Sequence, residues 1–468
     1  MWDPSFPYNL TFEASYPTPY AASQFLSLIL FSMMGQKHTP KTTKDIKSCY
    51  DYIIVGAGSA GSVLAARLAE KECVTILLLE AGKSSPKVTD IPTAARSFIQ
   101  SDIDWNYSTA PQEHTGAGLV NRSVAWPSGK TIGGSSVINA MLKLRGNKKN
   151  YDDWAAQGAS GWSYEEVLPY FMKLEDNTDE EYVKNGYHGI GGPVTVSKPP
   201  YDSALKAAIL EAAKDKGYRI GDINGPDATG VLTTPQGGAV TALLAQNDTK
   251  EINEDPDYQL TFWEGNADDK HRIKPEYFEA IYGPYKEKPL YGCISHVLQP
   301  KSRGEVTLRS SNPYDPPIID PKYFSHPEDM KNVVAGLKKC KEFGQSEVLR
   351  NIGSKLLTTV YPGCEDVVND DDKYFSCMAR SIVLTANHQT GTARMGNPRD
   401  PSTVVDPKLR VKGIRNLRVV DASVMPIIPS GNTNGPTMML AEKASDIIKE
   451  TIRCESDNDM YSILLEES

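Results

Sequence analysis

At 468 residues the chain has room for two large domains, or for about three of ordinary size. Apolar residues make up 40% and aromatic residues 9%, enough for a substantial core, so wholesale disorder is excluded. The formal net charge is −9 and no block of basic residues occurs, which argues against nucleic acid or an anionic membrane surface as partner.

Residues 1–48 read as an N-terminal extension. Their one apolar run, residues 25–35, is too short for a membrane-spanning helix of ~20 residues. Its length suits a signal-peptide core, yet no Lys or Arg precedes it and Asp3 and Glu13 are acidic. An export signal and an ordinary buried segment both stay open. Four Asn-x-Ser/Thr sequons, at Asn9, Asn106, Asn121 and Asn247, are compatible with secretion. The seven cysteines form no Cys-x-x-Cys pair and no zinc spacing, and the histidines form no local ligand pair, so no metal site is expected. Cys364 and Cys377 flank an acidic loop and can close it as a disulfide in an exported protein, free buried thiols being the alternative. The odd count leaves at least one cysteine unpaired.

The strongest local signal begins at Tyr52. A short apolar run ending at Val55 reads as a buried strand, followed directly by Gly56-x-Gly58-x-x-Gly61. Residues 62–70 read as a helix with Leu64, Ala65 and Leu68 on one face, and a second apolar run, residues 74–79, ends in Glu80. Gly56 permits the tight turn, Gly58 lets backbone approach a pyrophosphate, and Gly61 lets the helix pack on the strand. The helix N-terminus offers unpaired N–H groups to phosphates. Glu80 stands where a carboxylate can accept from a ribose hydroxyl, which disfavours NADP. A lone glycine triplet is weak, but the whole strand–turn–helix–strand–acid unit specifies an ADP-containing dinucleotide. FAD and NAD are not separated by it.

Residues 126–141 form a loop of small residues, with adjacent Gly133 and Gly134, leading to Asn139. Such a loop can lay several N–H donors against an anionic or ring-shaped ligand, or can be a tight turn before a helix. Together with the first unit it resembles the glucose–methanol–choline (GMC) oxidoreductase family, and within it the glucose-dehydrogenase-like flavoproteins of insects. Further motifs carry the same resemblance in family order. They are Glu80-Ala81-Gly82, Arg145-Gly146-Asn147, Tyr187-His188-Gly189, Ser302-Arg303-Gly304, Asp315-Pro316-Pro317, and residues 418–423 and 430–437.

The resemblance implies an α/β fold with a discontinuous Rossmann-like FAD-binding domain, residues 49–150 and 414–454, plus an α+β substrate-binding domain, residues 151–413. It implies FAD as cofactor, a small-molecule alcohol as substrate and an electron acceptor that the sequence does not name. Gly56, Gly58, Ser59, Ala60, Gly61 and Glu80 fall in its nucleotide motif, and Gly133, Gly134 and Asn139 in its flavin-contacting loop. Asp421, Ala422, Pro436 and Thr437 fall in its C-terminal cofactor motifs. Pro436 is also placed to begin a helix over residues 438–448, and residues 418–421 read as a strand end returning to the nucleotide sheet.

His388 matches the histidine above the flavin. Oxidising an alcohol by hydride transfer to flavin N5 requires the hydroxyl proton to leave, and an imidazole titrating near neutrality can take it. The second position of the family's pair is His or Asn, and Asn432 occupies it as a hydrogen-bond donor to the developing alkoxide. Asn387 and Gln389 depart from the aromatic residue and proline usual around this histidine.

One stretch of the family pattern is missing. Residues 217–225 normally lead into a long segment that carries a substrate-side loop, strands of the FAD sheet and a second signature motif. Here residues 230–236 run on to Asp257-Tyr258-Gln259-Leu260, which resembles a much later strand. An internal deletion near residues 233–257 is therefore expected, leaving an incomplete FAD sheet with an unpaired edge and an uncovered apolar face.

The remaining elements read as loop then helix over residues 154–174, helix over 205–216, strand over 306–308 and extended chain over 312–321. The acidic clusters at 251–257 and 370–372 read as solvated loops. Two other readings stand beside the FAD-dependent alcohol oxidoreductase. One is a truncated, non-catalytic isoform or incomplete gene product with impaired FAD binding. The other is an NAD-dependent dehydrogenase, which leaves residues 129–139 and the Asn432 loop without a role.

Overall fold

The strand–turn–helix unit forms as its pattern requires. In the computed structural model, which describes residues 42–198, 203–233, 240–245, 255–265 and 271–454, Tyr52–Val55 (β1) pairs in parallel with Ile76–Leu79 (β2). The helix between them, Ser59–Leu68 (α1), buries Ala60, Leu64 and Leu68, four residues apart on one face. The apolar run at 25–35, Asn9, Asn247 and residues 251–254 of the first acidic cluster lie outside the described residues.

The largest core gathers α1, Lys148–Ala156 (α2) and Tyr164–Leu174 (α3) with the C-terminal helix Asn434–Lys449, and buries Tyr151, Trp154, Trp162 and Phe171. Both indole N–H groups are satisfied, Trp154 by Ile427 O at 2.8 Å and Trp162 by Pro407 O at 2.9 Å. The expected domain limit at residue 150 does not coincide with a break in packing, since α2 and α3 share this core. Trp154 lies in α2, not in a loop, because an Asn147–Asn150 capping box starts that helix at Lys148.

A second core forms between a four-stranded antiparallel sheet and two helices. The strands Gly230–Thr233 (β3), Val240–Leu244 (β4), Tyr258–Glu264 (β5) and Tyr291–Val297 (β6) lie in the order β3-β4-β5-β6. Tyr258, Leu260 and Phe262 pack toward Ala204–Asp215 (α4) and Pro327–Gly344 (α5). Strand β4 has no counterpart in the sequence reading. All five of its residues are buried, so it shows no alternation that would mark a half-exposed strand.

The nucleotide sheet contains only β1 and β2 among the described residues. Ile53, Val55 and Leu79 are 59%, 83% and 42% exposed, an apolar surface that a complete sheet would cover. Residues 418–421 do not join it. Their backbone is used locally, Val419 N donating to Leu409 O and Val411 N to Leu417 O, with one bridge between Arg418 and Arg410.

Three disulfides are present: Cys364–Cys377, which the sequence left open against free thiols, Cys293–Cys340 between β6 and α5, and Cys73–Cys454 across 381 positions. Cys49 is free and exposed. Asp370–Asp372 are not a solvated loop. Asp370 caps the helix Asp371–Ser381 (α6) by accepting from Asp372 N and Lys373 N, and the other two acids sit in its first turn. The C-terminal helix Asn434–Lys449 is α7. No helix among the described residues is long and apolar enough to cross a membrane.

Candidate active site

The glycines of the first unit are required by close backbone approach. A Cβ on Gly61 would lie 1.9 Å from Gly56 O, and Gly56 itself takes φ +96°. A Cβ on Gly134 would lie 2.8 Å from the Cα of Gly58, so the two glycine loops sit against one another. Gly133 N donates to Ala57 O at 2.7 Å, and the side chains of Ser59 and Ser136 meet at 2.5 Å. Asn434 Nδ2, at the start of α7, donates to both hydroxyls at 2.9 and 3.0 Å. Three segments distant in sequence are thereby fastened together.

Glu80 Oε2 accepts from Ala57 N at 2.8 Å and Oε1 from Gly82 N at 2.7 Å, so this carboxylate also shapes the turn it was expected to serve. Each oxygen keeps a second lone pair for a ribose hydroxyl. Asn139 Oδ1 accepts from Met141 N, and Asp421 Oδ1 from Ser423 N. Gly56, Gly58, Ser59, Ala60, Gly61, Glu80, Gly134, Asn139, Asp421, Ala422 and Thr437 all line one cavity of about 2940 Å³. Gly133 and Pro436 stand outside its wall; Pro436 is buried in the first turn of α7. Gly61→Ala is expected to abolish retention of the dinucleotide through gel filtration, read from the flavin absorbance of the protein peak.

His388 and Asn432 line the same cavity. Asn432 Nδ2 lies 2.9 Å from His388 Nε2, and Thr433 Oγ1 lies 3.1 Å from His388 Nδ1. An N–H on Nδ1 donating to Thr433 leaves Nε2 as the acceptor facing Asn432. Asn387, at φ +60°, makes the turn that presents the imidazole, a conformation Asn tolerates. Burial, and then the nearby His296, push the His388 imidazole down to about 4.

The loop carrying Asn432 is tied from several sides. Ser430 N donates to Asn150 Oδ1 at 2.8 Å, Ser430 Oγ to Asp255 Oδ1 at 2.7 Å, and Gln299 Nε2 to Ile428 O at 2.7 Å. Asp255 is thus no solvated acid; burial raises its pKa despite hydrogen bonds from Ser430 and Asn150.

Two family models, each described as GMC oxidoreductase, match residues 50–241 and 300–441. The chain belongs to the GMC oxidoreductases. It is 31% identical to glucose dehydrogenase (FAD, quinone) of Drosophila pseudoobscura pseudoobscura, over 86% of this chain and 87% of the relative. With ecdysone oxidase of Spodoptera littoralis it shares 27% identity over 95% of this chain and 97% of that one. Among solved structures, pyridoxine 4-oxidase from Mesorbium loti superposes with a TM-score of 0.73 at 23% identity, covering 86% of this chain and all of that one. The alignment with the Drosophila protein runs over 541 positions, more than the 468 residues of this chain, so the relative carries residues inside the matched span that this GMC protein lacks.

FAD is the cofactor of the family. The residues present fit its pyrophosphate and flavin ends. Any side chain at Gly61 or Gly134 would collide with backbone, and one uninterrupted cavity joins this cradle to His388. That cavity exceeds the ~300–1,000 Å³ of common ligand sites. Among the described residues no cluster of His, Cys, Asp or Glu could hold a metal ion.

Sequence reasoning missed a buried charge network behind this GMC site. Glu175 accepts from Arg145 Nη2 at 2.5 Å, Lys143 Nζ at 3.1 Å and Asn177 Nδ2 at 2.7 Å, and meets His188 Nδ1 at 2.5 Å. His188 Nε2 reaches Asp222 Oδ2 at 2.9 Å, and Asp222 Oδ1 accepts from Asn224 N. Asn224 in turn accepts from Arg145 N. Three family motifs with no role in the sequence reading, around Arg145, His188 and Asp222, meet here. They hold the segment between the Gly133–Asn139 loop and Leu144, which packs against Gly431.

Proposed function

We propose that this GMC protein oxidises the hydroxyl-bearing carbon of an alcohol, with His388 as general base and Asn432 as hydrogen-bond donor to the substrate oxygen. Bound FAD would supply the acceptor for the hydride leaving that carbon. The hydroxyl proton passes to His388 Nε2, whose neutral form at pH 7 is free to accept it. Thr433 Oγ1 holds the opposite ring nitrogen and so fixes the tautomer. Asn432 Nδ2, turned from His388 to the substrate, stabilises developing negative charge on oxygen. The observation that carries the reading is the 2.9 Å His388–Asn432 pair in the cavity that also contains the glycine cradle. Relatives that are glucose and alcohol dehydrogenases point to glucose and other alcohols as the substrate class. The decisive test is anaerobic: glucose or cyclohexylmethanol added to FAD-loaded protein should bleach the flavin absorption. Loaded protein that stays oxidised with every alcohol would sink the reading.

A second reading, impaired FAD binding in a truncated chain, is favoured by the exposed apolar residues of β1 and β2. We place the missing block near residues 233–257. A fluorescence titration that reaches no saturation with FAD would favour this second reading. Three disulfides and the exposed sequon residues Asn106 and Asn121 support a secretory route.

A further inference from the structure

Side chains alternate across β6. Cys293 is bonded to Cys340 of α5, and Ser295 Oγ occupies the space beside Gly336 of the same helix, so both side chains point toward α5. His296 therefore stands on the opposite face. It pairs in register with Gln259 of β5, whose amide lies 3.5 Å from Asn432 Oδ1. On that face Thr261, Trp263 and His296 line the cavity that holds His388, and Gln299 follows at its edge. His296 Nε2 is buried and has no hydrogen-bond partner among the described residues. An unpaired buried nitrogen is unfavourable unless a ligand pairs with it. Nothing in the proposed oxidation uses this imidazole.

We propose that His296 is a substrate-contacting residue: its Nε2 hydrogen-bonds a second hydroxyl of the alcohol oxidised at His388, directing the site to polyhydroxylated, sugar-like substrates. This rests on the proposed alcohol oxidation. A monohydroxy alcohol leaves Nε2 unpaired, whereas a polyol satisfies it, and a site built to pair a hydroxyl discriminates against analogues lacking one. Thr261 and Gln299 extend the polar surface for further hydroxyls, while Trp263 offers an apolar face to a ring.

The test compares glucose with cyclohexylmethanol as reductants of bound flavin in the wild type, His296→Phe and His296→Gln. In His296→Phe the ratio of kcat/KM for glucose to that for cyclohexylmethanol should fall about 10- to 100-fold, and His296→Gln should recover part of it. A ratio unchanged in His296→Phe, whether both rates fall together or neither does, overturns the assignment. His296→Leu replaces the Phe variant if circular dichroism shows the latter unfolded. Calorimetric titration of oxidised, FAD-loaded protein with glucose separates the two readings. If no alcohol bleaches the flavin but glucose binds and His296→Phe weakens it, the oxidation fails and the contact stands. If cyclohexylmethanol bleaches the flavin and glucose does not bind, the contact fails and the oxidation stands.

Discussion

His388→Ala should keep FAD bound and lose about 10²- to 10⁴-fold in kcat for flavin reduction by alcohol. Retention follows from position: the nucleotide cradle is formed where the Gly61 turn and Gly134 leave no room for a side chain, whereas the His388 ring is held by Thr433 and Asn432. Loss of rate follows from the proton. Without Nε2, the departing hydroxyl proton loses the base that faces it beside Asn432, and an amide is no base. Asn432→Ala should cost less, about 10²-fold, since it removes a donor and leaves the base in place. The pH profile separates base from scaffold. Burial and His296 hold His388 at about 4, so kcat/KM should be flat through neutrality and fall below about pH 4 as the imidazole protonates. In His388→Ala that acid limb should disappear. A variant with unchanged kcat, or an identical acid limb in both proteins, would remove His388 from the mechanism.

What could be read in advance follows the sequence distance over which each constraint acts. The nucleotide unit was legible because strand, glycines, helix and Glu80 lie within one continuous segment, each with a local steric or electrostatic reason. Partners of that unit from elsewhere were not. Asn434 reaches Ser59 and Ser136 only through the folded chain, and Cys73 finds Cys454 across 381 positions. His388 and Asn432 were named from resemblance alone; Thr433, which holds the other ring nitrogen, has no signal beyond its place next to Asn432. Strand β4 was hidden by being buried on both faces. Where the family pattern broke off, the reading of an uncovered nucleotide sheet was physical, and Ile53 and Val55 carry it in their exposure. Meanwhile β3, β4, β5 and β6 pair in order as one antiparallel sheet among the described residues, so the substrate half keeps its own sheet. Any deficit should therefore appear in FAD affinity before it appears in folding of the substrate half.

Glu175→Gln should lower the unfolding free energy by about 3–5 kcal/mol near pH 6, measured by urea denaturation. Removing one member of a buried ion network leaves its partners desolvated without compensation, and here Arg145, Lys143 and His188 all converge on this carboxylate. Burial works against every charge in the group. For Glu175, the hydrogen bond to His188 and the charges of Arg145 and Lys143 outweigh it and hold the carboxyl well below its usual range. For His188, hydrogen bonds to Asp222 and Glu175 outweigh burial and raise the imidazole above its ordinary value, while Asp222 is lowered in return. These directions fix the pH dependence. The His188 share is fully present below about pH 6.5 and is lost as pH rises through its raised folded value; the carboxylate shares are present above about pH 4.5 and are lost as pH falls through their depressed values. The wild type should thus exceed Glu175→Gln most between those limits. The gap should narrow as pH rises through the raised His188 value, where the neutral imidazole no longer stands as a cation between Glu175 and Asp222. A gap under about 1 kcal/mol at pH 6 would show that the buried charges around Glu175 do not carry this stability. The network would then position the Arg145 segment by hydrogen bonding alone, and His188→Gln should be tolerated where Glu175→Gln is not.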